Sequence, residues 1–265
     1  MALLELQHNG PIARLVINNP GRKNAFSRAM WRALPGLVDE AAATAQTRLL
    51  TLQGAQAGMF AAGADISEFE QTYTTLGEAA VAAREIQDAV DALEHCVLPV
   101  VALIEGPCVG GGVALATACD LRIASAQARF AVTPARLGLC YHPDQVRLLV
   151  RACGLAATTE LLMTGQMWTA ERALQSGLVN QLWPQEEFAG KAEAMLQAIA
   201  ANSLDSTRAT KSGLRAVMSQ EPAALARAAH TFLELFQGPD FVEGRDAFLQ
   251  GRVPHFPSHT MEALP

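Results

Sequence analysis

Two strand-like runs, at 3–7 and 12–17, flank an Asn9-Gly10 pair, which predicts a β-hairpin. Ser27 precedes a segment in which Met30, Leu34, Leu37 and Val38 recur at helical spacing, the pattern of a capped amphipathic helix. Residues 47–52 read as a short strand, 77–93 as a long Ala-rich helix, and 98–104 as a strand buried on both faces by its unbroken apolar content. A helix at 113–118 and a strand at 121–124 continue the alternation, which predicts an α/β fold. After Leu139 helical spacing takes over, at 144–152, 156–164, 169–176, 186–200, 206–217, 222–236 and 240–249. Gly177 ends one of these helices before a short strand around Val179. The pattern divides the chain into a core at 1–200 and a helical region at 201–265 that packs on a neighbour or on its own core.

Two glycine-bearing turns interrupt this pattern. The first is Phe60-Ala-Ala-Gly-Ala-Asp-Ile-Ser-Glu-Phe69 and the second is Gly106-Pro-Cys-Val-Gly-Gly-Gly-Val-Ala114. Each follows a strand-like run and opens into a helix-like run, so each leaves unpaired backbone N–H groups at a helix start. Two such starts aimed at one point make an anion trap suited to a carbonyl oxygen that becomes an enolate or a tetrahedral oxyanion. The glycines form neither G-x-G-x-x-G nor a P-loop. Asp65 and Glu68 have the spacing of a capping box for the helix that follows the first turn.

Composition narrows the partners. With 265 residues, half of them apolar, the chain can bury a large core. A formal charge of −6 with no basic block argues against nucleic acid. Five cysteines without metal-ligand spacing predict free thiols in a reducing cytoplasm. Neither a signal peptide nor an apolar run of about 18 residues is present, so no membrane partner is expected.

The order of several pieces resembles the crotonase (enoyl-CoA hydratase/isomerase) superfamily along nearly the whole chain. They are Asn24-Ala25-Phe26, Phe60 through Ile66, Gly106 through Gly112 with Ala118-Cys-Asp120, Leu161 through Gly165, Ala173 through Asn180, and Phe241 through Phe256. The resemblance implies a spiral of ββα repeats with a helical C-terminal trimerisation region, and homotrimers or hexamers. It implies an acyl-CoA thioester as the substrate and no separate cofactor. The thioester oxygen would accept the amides of Ala64 and Gly111. Arg22 and Lys23 would meet the CoA phosphates, and Ala25, Ala62, Asp65, Ile66 and Ser67 would flank the adenine and pantetheine, largely through backbone atoms.

Hydratases of this family use two glutamates beside the oxyanion hole, and at those positions the resemblance finds Ala114 and Pro134. Neither side chain carries a proton. The stretch Thr133-Pro-Ala-Arg-Leu-Gly-Leu-Cys-Tyr141 resembles that of methylmalonyl-CoA decarboxylases in the same superfamily, which nominates Tyr141 at the acyl group. His142 and Asp144 follow it, His142 near the position where dienoyl-CoA isomerases place an aspartate, and Pro143-Asp144 is also a helix-start signal. Proton-transfer isomerisation and decarboxylation both stay open, as does a non-catalytic acyl-CoA binder. A rival reading takes Gly106-Pro-Cys108-Val-Gly110 as a nucleophile elbow with Asp205 and His230.

Overall fold

The computed structural model describes residues 3–256; residues 257–265 of the expected helical region lie outside them. Strands β1 (Leu4–Asn9) and β2 (Ile12–Ile17) form the expected hairpin, with Asn9 opposite Ile12. Helix α1 (Arg28–Ala43) is capped by Ser27, whose side chain accepts the Met30 N–H, and it buries Met30, Trp31, Leu34 and Val38. Strand β3 (Leu49–Gly54), the one-turn helix α2 (Phe69–Thr72), helix α3 (Leu76–His95) and strand β4 (Val100–Ile104) follow. Next come β5 (Pro107–Val109), α4 (Gly111–Ala118), β6 (Leu121–Ser125), β7 (Arg129–Ala131) and α5 (Pro143–Thr164). The rest is β8 (Trp168–Thr169), α6 (Ala170–Gln175), β9 (Gln181–Trp183), α7 (Gln185–Ala200), α8 (Leu204–Ser219), α9 (Pro222–Glu234) and α10 (Pro239–Gln250).

A six-stranded sheet has the order β1-β2-β3-β4-β6-β9, parallel except for the hairpin. Its inner strands β2, β3, β4 and β6 bury residues on both faces, as a covered parallel sheet requires. Ile12, Leu49, Val101 and Ile123 pack on Phe188, Ala192 and Leu196 of α7, while Ala13, Leu50 and Ala102 join the larger core with α1, α3 and α4. A second sheet, β5-β7-β8, stands beside the first. The sequence pattern does not anticipate it, because strands of two or three residues are too short to show a period.

Helix α4 is apolar all round, is buried from Gly112 to Ala118, and packs between α3 and α5. The two helices expected at 144–152 and 156–164 are the two segments of α5, which part at Gly154, where the backbone is not helical (φ 75°, ψ 166°). The buried carboxylate of Glu94 on α3 receives Arg147 at 3.0 and 2.7 Å and Arg151 at 2.9 Å, which fastens α5. Lys211 of α8 donates to Leu98 O at 2.9 Å and pairs with Asp120 at 2.6 Å, so this helix is clamped to its own core. Among the described residues no helix is long and apolar enough to cross a membrane.

Candidate active site

The first glycine turn lies between two partners. On one side Phe26 N–H donates to Gly63 O at 2.7 Å and Asp65 N–H to Phe26 O at 2.9 Å. On the other, Ala61 N–H donates to Pro107 O at 3.0 Å and Ala61 O accepts Val109 N–H at 2.9 Å. An extended chain points successive amides to opposite sides. Ala64 lies between Gly63 and Asp65, so its own N–H faces away from Phe26, toward the end of β5. There the chain passes Gly110 and starts α4 at Gly111. The first amides of a helix have no partner within it.

The two amides meet at this point. A Cβ added to Gly111 would lie 3.6 Å from Ala64 N, and one added to Gly63 would lie 3.4 Å from Gly111 N. Neither N–H donates a backbone hydrogen bond among the described residues. The carbonyl of each donor peptide is held at its opposite end. Gly63 O accepts Phe26 N–H, and Gly110 O accepts Val113 N–H at 2.9 Å, Ala114 N–H at 3.2 Å and the Tyr141 hydroxyl at 2.7 Å. A trans peptide points its N–H opposite to its C=O, so both free N–H groups are aimed into one gap. The N-terminal end of the α4 dipole adds positive potential there.

Trp31 of α1 walls the gap. Its Cζ2 and Cη2 atoms lie 2.9 and 3.0 Å from the position of a Gly111 Cβ, and its ring packs on Phe26 at 4.6 Å between centroids. A narrow cleft continues past Ala64 between Phe69, Tyr73, Ala82 and Ile86. Charged groups also line it. Glu85 binds Arg28 Nε at 2.6 Å and Arg32 Nε at 2.7 Å. Burial opposes the charge on Glu85, but the two guanidiniums outweigh it and hold the carboxyl below the usual carboxylate range. The sequence reading missed Trp31 and this cluster. Trp31 lies on the same face as that apolar series, three residues before Leu34, so its spacing marks it as core and not as a wall of the gap, and Arg28 meets Glu85 from 57 residues away.

The expected capping box is half formed. Asp65 caps its turn, accepting Ser67 N–H at 3.0 Å and Ser67 Oγ–H at 2.7 Å, and the Ser67 hydrogen bonds hold its carboxyl below the ordinary range. Glu68 instead accepts the Arg28 N–H at 2.7 Å, so it caps α1. At the mouth, Arg22 and Lys23 are exposed, Arg22 lies 3.9 Å from Asp65, and Lys23 O accepts Ala62 N–H at 3.1 Å. Ala25 is buried, Ala62 half-buried, and Ile66 and Ser67 exposed.

On the other rim, Tyr141 is buried with its hydroxyl on Gly110 O. His142, not Asp144, is the N-cap of α5, since Pro143 takes the first helical position. His142 Nδ1 lies 3.4 Å from both Asp144 N and Asp144 Oδ2, and the two side chains are 44% and 49% exposed. The nucleophile-elbow residues do not assemble. Cys108 is fully buried and burial raises its thiol well above the ordinary range, whereas His230 lies on the exposed face of α9, 3.3 Å from Glu234. All five cysteines are free.

The enoyl-CoA hydratase/isomerase family model matches residues 7–259. The short-chain-enoyl-CoA hydratase of Clostridium acetobutylicum is 29% identical over 93% of this chain and 94% of its own. The mitochondrial Δ(3,5)-Δ(2,4)-dienoyl-CoA isomerase of Homo sapiens is 30% identical over 66% of this chain and 56% of its own. Among solved structures, an enoyl-CoA hydratase/isomerase family protein from Hyphomonas neptunium superposes with a TM-score of 0.93 at 43% identity, covering 97% of this chain and 98% of that one.

Proposed function

Because the chain belongs to the enoyl-CoA hydratase/isomerase family, we propose that it holds an acyl-CoA thioester with its carbonyl oxygen on the Ala64 and Gly111 amides and moves a proton along an enoyl chain. The observation that carries this reading is the pair of free amides, each fixed from behind by a bonded carbonyl. Such donors stabilise the charge that develops when a proton leaves carbon next to a thioester. We assign the CoA phosphates to Arg22 and Lys23, which are exposed, with Arg22 3.9 Å from Asp65.

Isomerisation needs one proton carrier. A base takes a proton from the α-carbon, the dienolate spreads its charge onto the oxygen, and the same group returns the proton at the γ-carbon. Hydration needs two groups serving water and carbon at once, and Ala114 and Pro134 supply neither. Glu68 and Glu85 in the cleft are committed to Arg28 and Arg32. We assign the carrier role to His142, with Asp144 beside its Nδ1. His142 follows Tyr141, whose hydroxyl is bound to Gly110 O at 2.7 Å.

The test is a panel of enoyl-, 3-hydroxyacyl- and carboxyacyl-CoA esters in D₂O, followed by mass and NMR. Deuterium is expected at the α- and γ-carbons, with double-bond movement and no loss of carbon. His142→Ala is expected to lower that exchange by about 10²–10⁴ with little change in KM. Release of CO₂ would replace this reading with decarboxylation, and binding without exchange would reduce the protein to an acyl-CoA binder.

We also propose that copies of the chain cover the C-terminal helices. Met218, Phe232 and Leu233 are about 60% exposed and Phe248 is 84% exposed, more apolar surface than a monomer ordinarily leaves to water. Light scattering on the eluting protein is expected to give about three or six times the 28.2 kDa of one chain. A single 28.2 kDa species at micromolar concentration would contradict this.

A further inference from the structure

We infer that Tyr141 is a positioning residue whose hydroxyl, bound to Gly110 O at 2.7 Å, orients and polarises the peptide that presents the Gly111 N–H. The inference rests on the reading above, in which that amide is an oxyanion donor.

Gly110 and Gly111 share one peptide group with no side chain on either flank, and Gly110 occupies φ 51°, ψ −116°. Glycine on both sides makes rotation of that peptide easy. A rotated peptide would put its carbonyl oxygen in the gap and repel the charge it should stabilise. Two of the three bonds to Gly110 O come from Val113 and Ala114 of α4 itself. They therefore move with the helix. Tyr141 comes from the segment entering α5 and supplies the only side-chain donor to Gly110 O among the described residues. Gly110 N–H, bound to Ala131 O of β7 at 2.8 Å, fixes the preceding peptide only.

The same bond also acts through polarity. Each donor on a peptide carbonyl draws electron density from the nitrogen and makes its N–H a stronger donor. Gly110 O has three donors where Gly63 O has one. Burial, with Cys108 nearby, pushes the Tyr141 phenol well above its ordinary range, so the hydroxyl stays protonated throughout the working pH range.

The test uses 2,4-hexadienoyl-CoA, whose conjugated thioester absorbs further to the red when its carbonyl is polarised. The native protein is expected to red-shift the bound ligand at saturation. Tyr141→Phe is expected to lose about half of that shift, to lower kcat about tenfold, and to leave KM within about twofold. A purely structural role would lower the melting temperature and leave the shift of bound ligand unchanged. No shift in the native protein defeats the oxyanion reading itself. A native shift that Tyr141→Phe leaves intact overturns the role given to Tyr141. If Tyr141→Phe does not fold, the two-tyrosine composition offers a second route. In a Tyr73→Phe background, with the same Tyr73→Phe protein carrying ordinary tyrosine as the reference because Tyr73 lines the cleft, 3-fluorotyrosine enters position 141 alone. Its more acidic phenol is expected to enlarge the shift, and an unchanged or smaller shift overturns the inference.

Discussion

Gly111→Pro is expected to lower kcat/KM by about 10²–10³ beyond the loss caused by Gly111→Ala, the scale of one missing oxyanion donor. Proline removes the N–H, and position 111 is where it can do so with least damage. It is the first residue of α4, a position that donates nothing within the helix and readily accepts proline. The preceding Gly110, at φ 51° and ψ −116°, has no Cβ for the proline ring to strike. Alanine is the control, because both substitutions place a Cβ 2.9 Å from Trp31 Cζ2 and only one abolishes the donor. Trp31 must shift slightly in each variant, so both melting temperatures should fall together. If the two variants turn over the same thioester at the same rate, Gly111 is not a donor.

Gly106→Ala is expected to cost about 3–5 kcal/mol of stability and roughly 10 °C of melting temperature. Gly106 joins β4 to β5 at φ +76°, a conformation unfavourable for any residue with a Cβ. The added carbon would also stand 2.0 Å from Gly58 O and 2.6 Å from Gly58 C, both main-chain atoms with little freedom to move. Gly10→Ala is the comparison, since it has a similar φ of +60° and open space around it. Calorimetry at one fixed protein concentration separates the two, because assembly would itself shift the transition. A Gly106→Ala loss no larger than that of Gly10→Ala would contradict the account.

The features legible in the sequence were those written in local spacing. Asn9-Gly10 marked the hairpin, Ser27 marked the start of α1, and both glycine turns stood out because a strand-like run led into each. The illegible features depend on meetings across the chain. Pro107–Val109 becomes a strand because Phe130 and Ala61 lie alongside it, and three residues carry no period of their own. Glu68 has the spacing of a local cap, yet its carboxylate finds the Arg28 amide 40 residues earlier. Tyr141 was visible as a candidate beside the acyl group. That its hydroxyl ends on Gly110 O, 31 residues away, depends on how α5 enters beside α4.

Both proposed oxyanion donors are main-chain groups, and this limits how the protein could evade a drug. Side-chain replacement at 64 or 111 leaves the amide in place unless proline is introduced, and proline would remove a donor the reaction itself uses. An enolate mimic whose affinity came chiefly from those two amides would therefore leave little room for resistance by substitution at its anchor points. Escape would have to come from reshaping the walls, with Trp31 the nearest place to look.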